Sequence, residues 1–253
     1  MSRLTRWMDR RLYPGVENHW DDKLFRESIQ AVLRPEHHLL DLGAGAGIVK
    51  EMNFRGQAAR VCGVDPDERV LENPYLDDAK VGQGESIPYP DASFDVVVAD
   101  NVLEHLENPD AVFREVNRVL KPGGWFLAKT PNRWHYMPLA ARLTPHRFHA
   151  FYNRLRGRHE TDTFPTRYRA NSPGQIHRLA GPAGFRVREL TLVESRPEYL
   201  RISGPSYLLG WLYERLVNAA PALARFRVLL VATLQKGGGS TEAATCPPRE
   251  MTL

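Results

Sequence analysis

The residues of this chain most suited to chemistry are a set of glycines flanked by acids. Residues 39–47 read Leu-Leu-Asp-Leu-Gly-Ala-Gly-Ala-Gly, and a second apolar run, Arg60-Val-Cys-Gly-Val-Asp65, ends in an acid followed by Pro66. A buried strand, a glycine turn opening a helix and an acid at the tip of the next strand make a site for a nucleoside-bearing cofactor. Glycine is required in such a turn because a Cβ would collide with the ligand or forbid the necessary dihedral angles. Gly43, Ala44, Gly45 and Gly47 are the expected cradle, and Asp65, with Pro66 beside it, is placed to accept from both ribose hydroxyls. Asp65 can also cap a helix beginning at Pro66, a role compatible with ribose binding.

Two cofactors share that scaffold. Dinucleotide sites use G-x-G-x-x-G to lay a pyrophosphate on the helix N-terminus, where the dipole favours negative charge. Here Gly43, Gly45 and Gly47 are spaced G-x-G-x-G, and Asp41 stands two residues before the first of them. An acid there is poorly placed against a pyrophosphate but suits a ligand carrying an ammonium and a sulfonium. That description fits S-adenosylmethionine.

Further blocks follow in order: Val64-Asp65, Ser86-Ile-Pro-Tyr-Pro-Asp-Ala-Ser-Phe-Asp-Val-Val-Val98, Asn101-Val-Leu-Glu-His-Leu106 and Leu120-Lys-Pro-Gly-Gly-Trp-Phe-Leu127. With them, residues 38–132 resemble the class I methyltransferase domain of the small-molecule group called type 11. The resemblance implies an S-adenosylmethionine-dependent methyltransferase that acts on a small-molecule acceptor, most often at an oxygen, and releases S-adenosylhomocysteine. It also implies a Rossmann-like three-layer α/β sandwich whose seven-stranded sheet is mostly parallel, with an antiparallel last strand and an insertion before strand six. Similar enzymes read the adenine amino group with an acid in a Gly-Asp-Ala pattern after the third strand. This chain has Gly82-Gln83-Gly84-Glu85 instead. Gln83 can still accept through its amide oxygen, and the backbone N–H of Gly84 or Glu85 can donate to a ring nitrogen. Ile87 either packs on the adenine face or belongs to the core.

Asp100, Asn101, Glu104 and His105 follow the fourth strand and so fall at the reaction edge. The Asn/Asp-Pro-Pro-Tyr sequence of nucleobase amino-methyltransferases is missing there, which argues against a nucleic-acid substrate. His105 is the candidate general base for a hydroxyl, since imidazole titrates near working pH; the plainer alternative is a histidine that packs against the following helix. Residues 131–170 carry Arg133, His135, Tyr136, Arg142, His146, Arg147, His149, Arg154, Arg156, Arg158, His159, Arg167 and Arg169 against only Glu160 and Asp162. In this fold that connection roofs the acceptor pocket, so a basic roof points to a carboxylate or phosphate on the acceptor; a solvated loop face is the alternative. No His/Cys spacing resembles a metal site, and methyl transfer from a sulfonium needs none. Three other readings stay open: a nucleic-acid methyltransferase, a module that holds the cofactor without chemistry, and a nicotinamide oxidoreductase.

These residues must be held by a frame, and the pattern supplies one. Strands are expected near 38–42, 60–65, 78–82, 94–99, 124–129, 184–192 and 227–234, with helices filling the gaps. The helix at 109–120 has Asn108 as N-cap, Pro109 at its first position, Val112, Phe113, Val116, Val119 and Leu120 on one face, and Pro122-Gly123-Gly124 as its stop. A helix at 205–218 presents Tyr207, Leu208, Trp211, Leu212 and Leu216 as one apolar face, to dock on the domain, a second subunit or a lipid-linked acceptor. Residues 1–37, with a helix from about Asp21 to Leu33, form an N-terminal cap that either covers the cofactor or simply packs. Residues 38–236 form the methyltransferase domain, 131–170 being its acceptor-side insertion, and 237–253 a disordered tail. The 253 residues suffice for one α/β domain, and the net charge of +4 is modest. Two cysteines, an N-terminus without a signal-peptide core and no apolar run of spanning length are expected of a soluble cytoplasmic protein.

Overall fold

A computed structural model describes residues 3–15, 21–143 and 165–238. His146, Arg147, His149, Arg154, Arg156, Arg158, His159, Glu160 and Asp162 of the basic insertion lie outside the described residues, as does the tail beyond Gly238. Seven strands, β1 (His38–Leu42), β2 (Arg60–Asp65), β3 (Asp78–Val81), β4 (Phe94–Asp100), β5 (Leu120–Pro131), β6 (Phe185–Val193) and β7 (Leu229–Lys236), form one sheet in the order β3-β2-β1-β4-β5-β7-β6. Strands β1 to β5 pair in parallel, and β7 inserts between β5 and β6 antiparallel to both. The order reverses direction at β1, so the carboxyl ends of β1 and β4 flank the crevice where such sheets bind ligands.

Alternation along the central strands divides the core into two layers. Leu40, Leu42, Val97, Ala99, Phe126 and Ala128 face one side, covered by α3 (Pro109–Val119) and by the helix Pro173–Ala180. The first of these is built as its sequence implies: Asn108 Oδ1 accepts from Ala111 N at 3.2 Å, and Val112, Phe113, Val116 and Val119 are fully buried. Its stop differs from expectation. The helix ends at Val119 and the chain passes directly into β5, so Pro122-Gly123-Gly124 lies inside the strand. Phe94 pairs with Leu120 but Val96 with Trp125, and Gly123 sits at φ +80°. The triplet is therefore a bulge that re-aims the strand, which glycine permits and a side chain would resist.

The opposite side departs further from simple strand–helix alternation. The glycine turn after β1 does not open an α-helix; only a 3-10 turn, Lys50–Met52, follows it. Between β2 and β3 there is a second 3-10 turn, Glu68–Glu72, and between β3 and β4 no helix at all. Residues 43–59 must return to the start of β2 while delivering Phe54, fully buried, to the core, and Asn53 already leaves the turn in extended conformation. The vacant layer is filled from the N-terminus. In α2 (Asp21–Gln30), which ends three residues earlier than expected, Phe25 and Ile29 are fully buried against Leu39, Val96, Val98 and Leu127. The Arg26 guanidinium donates to Asn53 O at 2.9 Å and lies 4.6 Å over the Phe54 ring, tying the helix to the turn that replaces the missing one.

The remaining α-helices among the described residues are α1 (Arg3–Leu12), α4 (Tyr136–Leu143), α5 (the Pro173–Ala180 helix) and α6 (Gly204–Ala219). The expected single apolar face of α6 is in fact two. Tyr207, Gly210, Glu214 and Val217 turn inward, whereas Leu208, Leu212 and Leu216 are exposed. Gly210 marks the closest approach, where a Cβ would come within 2.5 Å of Pro197 Cβ.

Candidate active site

The glycine turn is held by the chain's own contacts. Gly43, Gly45 and Gly47 all have positive φ, at +80°, +49° and +71°. A Cβ on Gly43 would lie 2.3 Å from Val102 Cγ2, and one on Gly47 2.3 Å from Asn73 Oδ1. A Cβ on Gly45 would meet nothing within 4 Å, so the middle glycine faces open space. Asn73, unremarked in the sequence, locks the turn: its Nδ2 donates to Ala44 O and Gly45 O at 3.0 and 3.1 Å. Asp65 supports it from the other flank, accepting from Gly45 N at 2.9 Å on Oδ2 and from Asp67 N at 2.8 Å on Oδ1. Each carboxylate oxygen has a second lone pair, so two further donors can be received.

Beside the turn runs a row of charges across three adjacent strands. Asp41 is the last residue but one of β1, Asp100 ends β4, and Asp100 is the register partner of Lys129 on β5. Burial first, then Asp100 and Asp65, push the Asp41 carboxyl up to about 8. Burial also raises Asp100, to about 6, although Lys129 opposes the shift. Lys129 is fully buried; burial would lower its pKa, but Asp100, Asp21 and Asp22 outweigh it and the net shift is upward. Its Nζ contacts Asp100 Oδ1 at 2.9 Å and Asp22 Oδ1 on α2, so the N-terminal helix is tied to the reaction edge by a buried ion pair. Asp100 Oδ2 is buried without a hydrogen-bond partner. Carboxyls that cannot ionise cheaply, one of them with an orphaned oxygen, are the electrostatic complement of a cation. The residues therefore fit the ammonium and sulfonium groups of S-adenosylmethionine.

A cavity of about 240 Å³ opens on the other flank of the turn. Gly43, Pro66, Gln83, Gly84, Glu85 and His105 all line it, which brings together six of the residues singled out by sequence. Ile87 does not line it; it is buried in the core, its N–H donating to Glu115 Oε2 at 2.9 Å. Asn101, at φ +54°, donates its side-chain amide to Asp100 Oδ1 at 2.9 Å and is exposed. His105 Nδ1 lies 3.0 Å from Pro165 O. A carbonyl can only accept, so Nδ1 carries the proton of the neutral ring and Nε2 is the nitrogen able to take one up. Behind it, Thr130 Oγ1 donates to Glu104 Oε2 at 2.9 Å and receives Asn171 Nδ2 at 2.6 Å.

Past β5 the chain forms a second, larger cavity of about 700 Å³ lined by Arg133, Trp134, Gln175, Arg178, Arg225 and Phe226. Arg133 Nε is buried without a partner. Nearby, His135 is almost fully buried; its Nδ1 accepts from Met137 N at 3.3 Å, which leaves the proton on Nε2, 3.7 Å from Glu194 Oε2. Burial lowers His135 to about 3 and raises Glu194 to about 8, so the pair is neutral. Lys129 carried a readable signal, a lone charge inside the apolar run of β5; Asn73, beside Pro74, reads only as a turn.

The chain is similar to known methyltransferases in sequence and in fold. Residues 40–128 match a family model described as a methyltransferase domain. A probable S-adenosylmethionine-dependent methyltransferase of Mycolicibacterium smegmatis is 37% identical over 147 residues, covering 53% of this chain and 54% of that protein. A ubiquinone biosynthesis O-methyltransferase of Thiobacillus denitrificans is 31% identical over 178 residues, 63% of this chain and 68% of that one. The chain thus spans about half the length of the first relative and about two thirds of the second. Among solved structures, a geranyl diphosphate C-methyltransferase of Streptomyces coelicolor, in complex with S-adenosyl-L-homocysteine, superposes with a TM-score of 0.56 over 87% of this chain and 81% of that one, at 14% identity. That likeness is one of fold.

Proposed function

The chain belongs to the class I S-adenosylmethionine-dependent methyltransferases, in the type 11 methyltransferase-domain family, and from that premise we propose that it methylates an oxygen of a small, anionic acceptor. The observation that carries the reading is the acid row of Asp41, Asp65 and Asp100 beside a locked glycine turn. When bound, S-adenosylmethionine supplies a methyl group already activated by its sulfonium charge. The chain's own work is then to bind, orient and exclude water. Asp41 and Asp100 receive the cationic end, Asp65 the ribose hydroxyls, and Gln83 with the backbone of Gly84 and Glu85 the adenine edge. The open face of Gly45 lets the cofactor approach the protein backbone closely, and Ala44, Gly47, Pro66 and Asn101 complete the wall.

Alignment of an acceptor in such a site supplies on the order of 7–11 kcal/mol of rate enhancement. His105 is the proposed general base: Nε2 takes the proton of an acceptor hydroxyl while Pro165 O holds the ring in the required tautomer. Such a base adds about 10²–10⁴-fold. The anionic character of the acceptor is supported by the cavity lined by Arg133, Arg178 and Arg225, where guanidinium groups and the orphaned Arg133 Nε await acceptor oxygens. We place the enzyme in the cytoplasm, where the buried free thiol of Cys62 stays reduced. Among the described residues no helix is long and apolar enough to cross a membrane. Residues 38–236 are taken as the catalytic domain, with 1–37 as a cover and 131–170 as the acceptor roof.

The test is a mass-spectrometric screen of hydroxylated carboxylates and phosphates with S-adenosylmethionine. Gain of one methyl group on an oxygen of an anionic acceptor is the expected result. Turnover confined to nucleic acid, or tight cofactor binding without turnover on any acceptor class, overturns the reading.

A further inference from the structure

The outer surface of α1 and α6 has no part in the site described above. The two helices run side by side. Leu4 lies against Gly204, where a Cβ would be 2.8 Å from Leu4 Cδ2; Tyr207 O–H donates to Asp9 at 2.8 Å; and Tyr13 O–H donates to Glu214 at 2.8 Å. Thr5 and Met8 of α1 and Tyr207, Gly210, Glu214 and Val217 of α6 turn inward. What remains outside is unusual in both composition and sign. Leu4 and Trp7 are 53% and 56% exposed, and Leu208, Leu209, Leu212 and Leu216 are 54%, 63%, 50% and 51% exposed. Six large apolar side chains on two adjoining helices form a patch of the kind that marks an interaction surface rather than the scattered exposure of ordinary monomers.

The exposed charges of the two helices themselves are of one sign. Arg3, Arg6, Arg10 and Arg11 of α1 and Arg215 of α6 are exposed. The acids of the two helices are not: Asp9 is held by Arg201 and Tyr207, and Glu214 by Tyr13 and Asn218. A second copy of the chain would bring these arginines against their own kind, which disfavours self-association through this face. An anionic lipid surface meets both demands at once, since leucine and tryptophan enter the acyl boundary while arginines meet the phosphates. We propose that the α1/α6 face docks the protein peripherally on an anionic lipid bilayer. Topology gives the contact a consequence. The chain enters α6 from the end of β6 and leaves it for the start of β7, both at the edge of the sheet that carries the acid row. Docking through α6 therefore brings the reaction edge close to the bilayer, where an amphiphilic anion can be drawn from it.

The proposal is independent of the acceptor and is tested without turnover. The full chain is sedimented with vesicles of phosphatidylcholine alone and with vesicles containing phosphatidylglycerol. Retention on the anionic vesicles, with release as salt rises and the contact is screened, is expected. Two surface pairs, Leu208→Gln with Leu212→Gln, and Arg6→Glu with Arg10→Glu, should each lower partitioning about tenfold or more. Their thermal melts and S-adenosylhomocysteine affinities should stay those of the parent, showing that the fold is intact. No retention on anionic vesicles at low salt overturns the proposal. So does retention that both variants leave unchanged, which would assign lipid contact to another segment. A lipid-free dimer abolished by the leucine pair would give the face to a second copy instead.

Discussion

Cofactor binding to this site should release a proton, and the release should be traceable to one carboxyl. Asp41 is 7% exposed, and burial together with Asp100 and Asp65 raises it to about 8. At pH 7 it is therefore mostly protonated in the free protein. An ammonium group seated against it requires the carboxylate, so binding must expel that proton. The expected linkage is about one proton released at pH 7, and a dissociation constant that falls about tenfold per pH unit from about pH 6 to 7.5. Above that range the amino group of the ligand itself titrates, near 8, and the gain ends. Below it Asp100, raised to about 6, adds a second proton to the exchange. Titration calorimetry with S-adenosylhomocysteine in two buffers of different ionisation enthalpy counts the protons directly. Asp41→Asn keeps the size of the side chain and removes the titration, so affinity should drop at pH 7.5 and the slope with pH should flatten toward that of Asp100 alone. Binding that releases no proton at pH 7, or an Asn variant with the parent's slope, would refute the assignment of Asp41 to the cationic end.

The same shifts set the stability of the ligand-free protein. Asp41 and Glu194, both near 8, and Asp100, near 6, hold protons in the folded state that the unfolded chain has released above about 4.5, so stability falls as pH rises from about 5 to 8, by up to about 1.4 kcal/mol per unit for each group. Melting temperatures across that range check the sign, and saturating S-adenosylhomocysteine should flatten the slope. Gly45→Ala and Gly47→Ala should separate ligand contact from fold. The former meets no protein atom within 4 Å and should lose cofactor affinity at a stability cost of about 1–2 kcal/mol, whereas the latter drives a Cβ into Asn73 and should lose more stability. Lys129→Met should cost about 3–5 kcal/mol in chemical denaturation, because it leaves Asp22 and Asp100 as buried charges without their cation. His105→Ala should lower kcat about 10²–10⁴-fold on a hydroxyl acceptor while the S-adenosylhomocysteine dissociation constant stays within a few-fold.

The strands and the glycine turn were legible because their signals are local. Leu39 to Gly47 announces a buried strand and a left-handed turn in nine consecutive residues, and all three glycines take the positive φ that only their type adopts without strain. The helical layer over the α2 side was not legible, because its absence is decided at a distance. Residues 43–59 favour a 3-10 turn only when Phe25 and Ile29, well upstream in the chain, occupy the layer a helix would otherwise fill. Asn73 illustrates the same limit at the site: its sequence context says turn, and only its bonds to Ala44 O and Gly45 O reveal it as the clamp of the cradle. Leu208, Leu212 and Leu216 show the reverse error, in which apolar periodicity was readable but the side it served was not. Tyr207 and Gly210 claim the core face through Asp9 and Pro197, and the leucines are left outward with arginines around them.

Among the described residues no α-helix directly follows β1 to shield its side of the sheet. Here α2 is itself the covering layer, and its Asp22 is paired with the Lys129 that also holds Asp100. Displacing α2 would therefore cost both the burial of Phe25 and Ile29 and the balance of charge at the acid row. The N-terminal helix and the acid row are thus parts of one electrostatic unit: whatever neutralises Asp100 changes the field on Lys129, and through it the hold on Asp22.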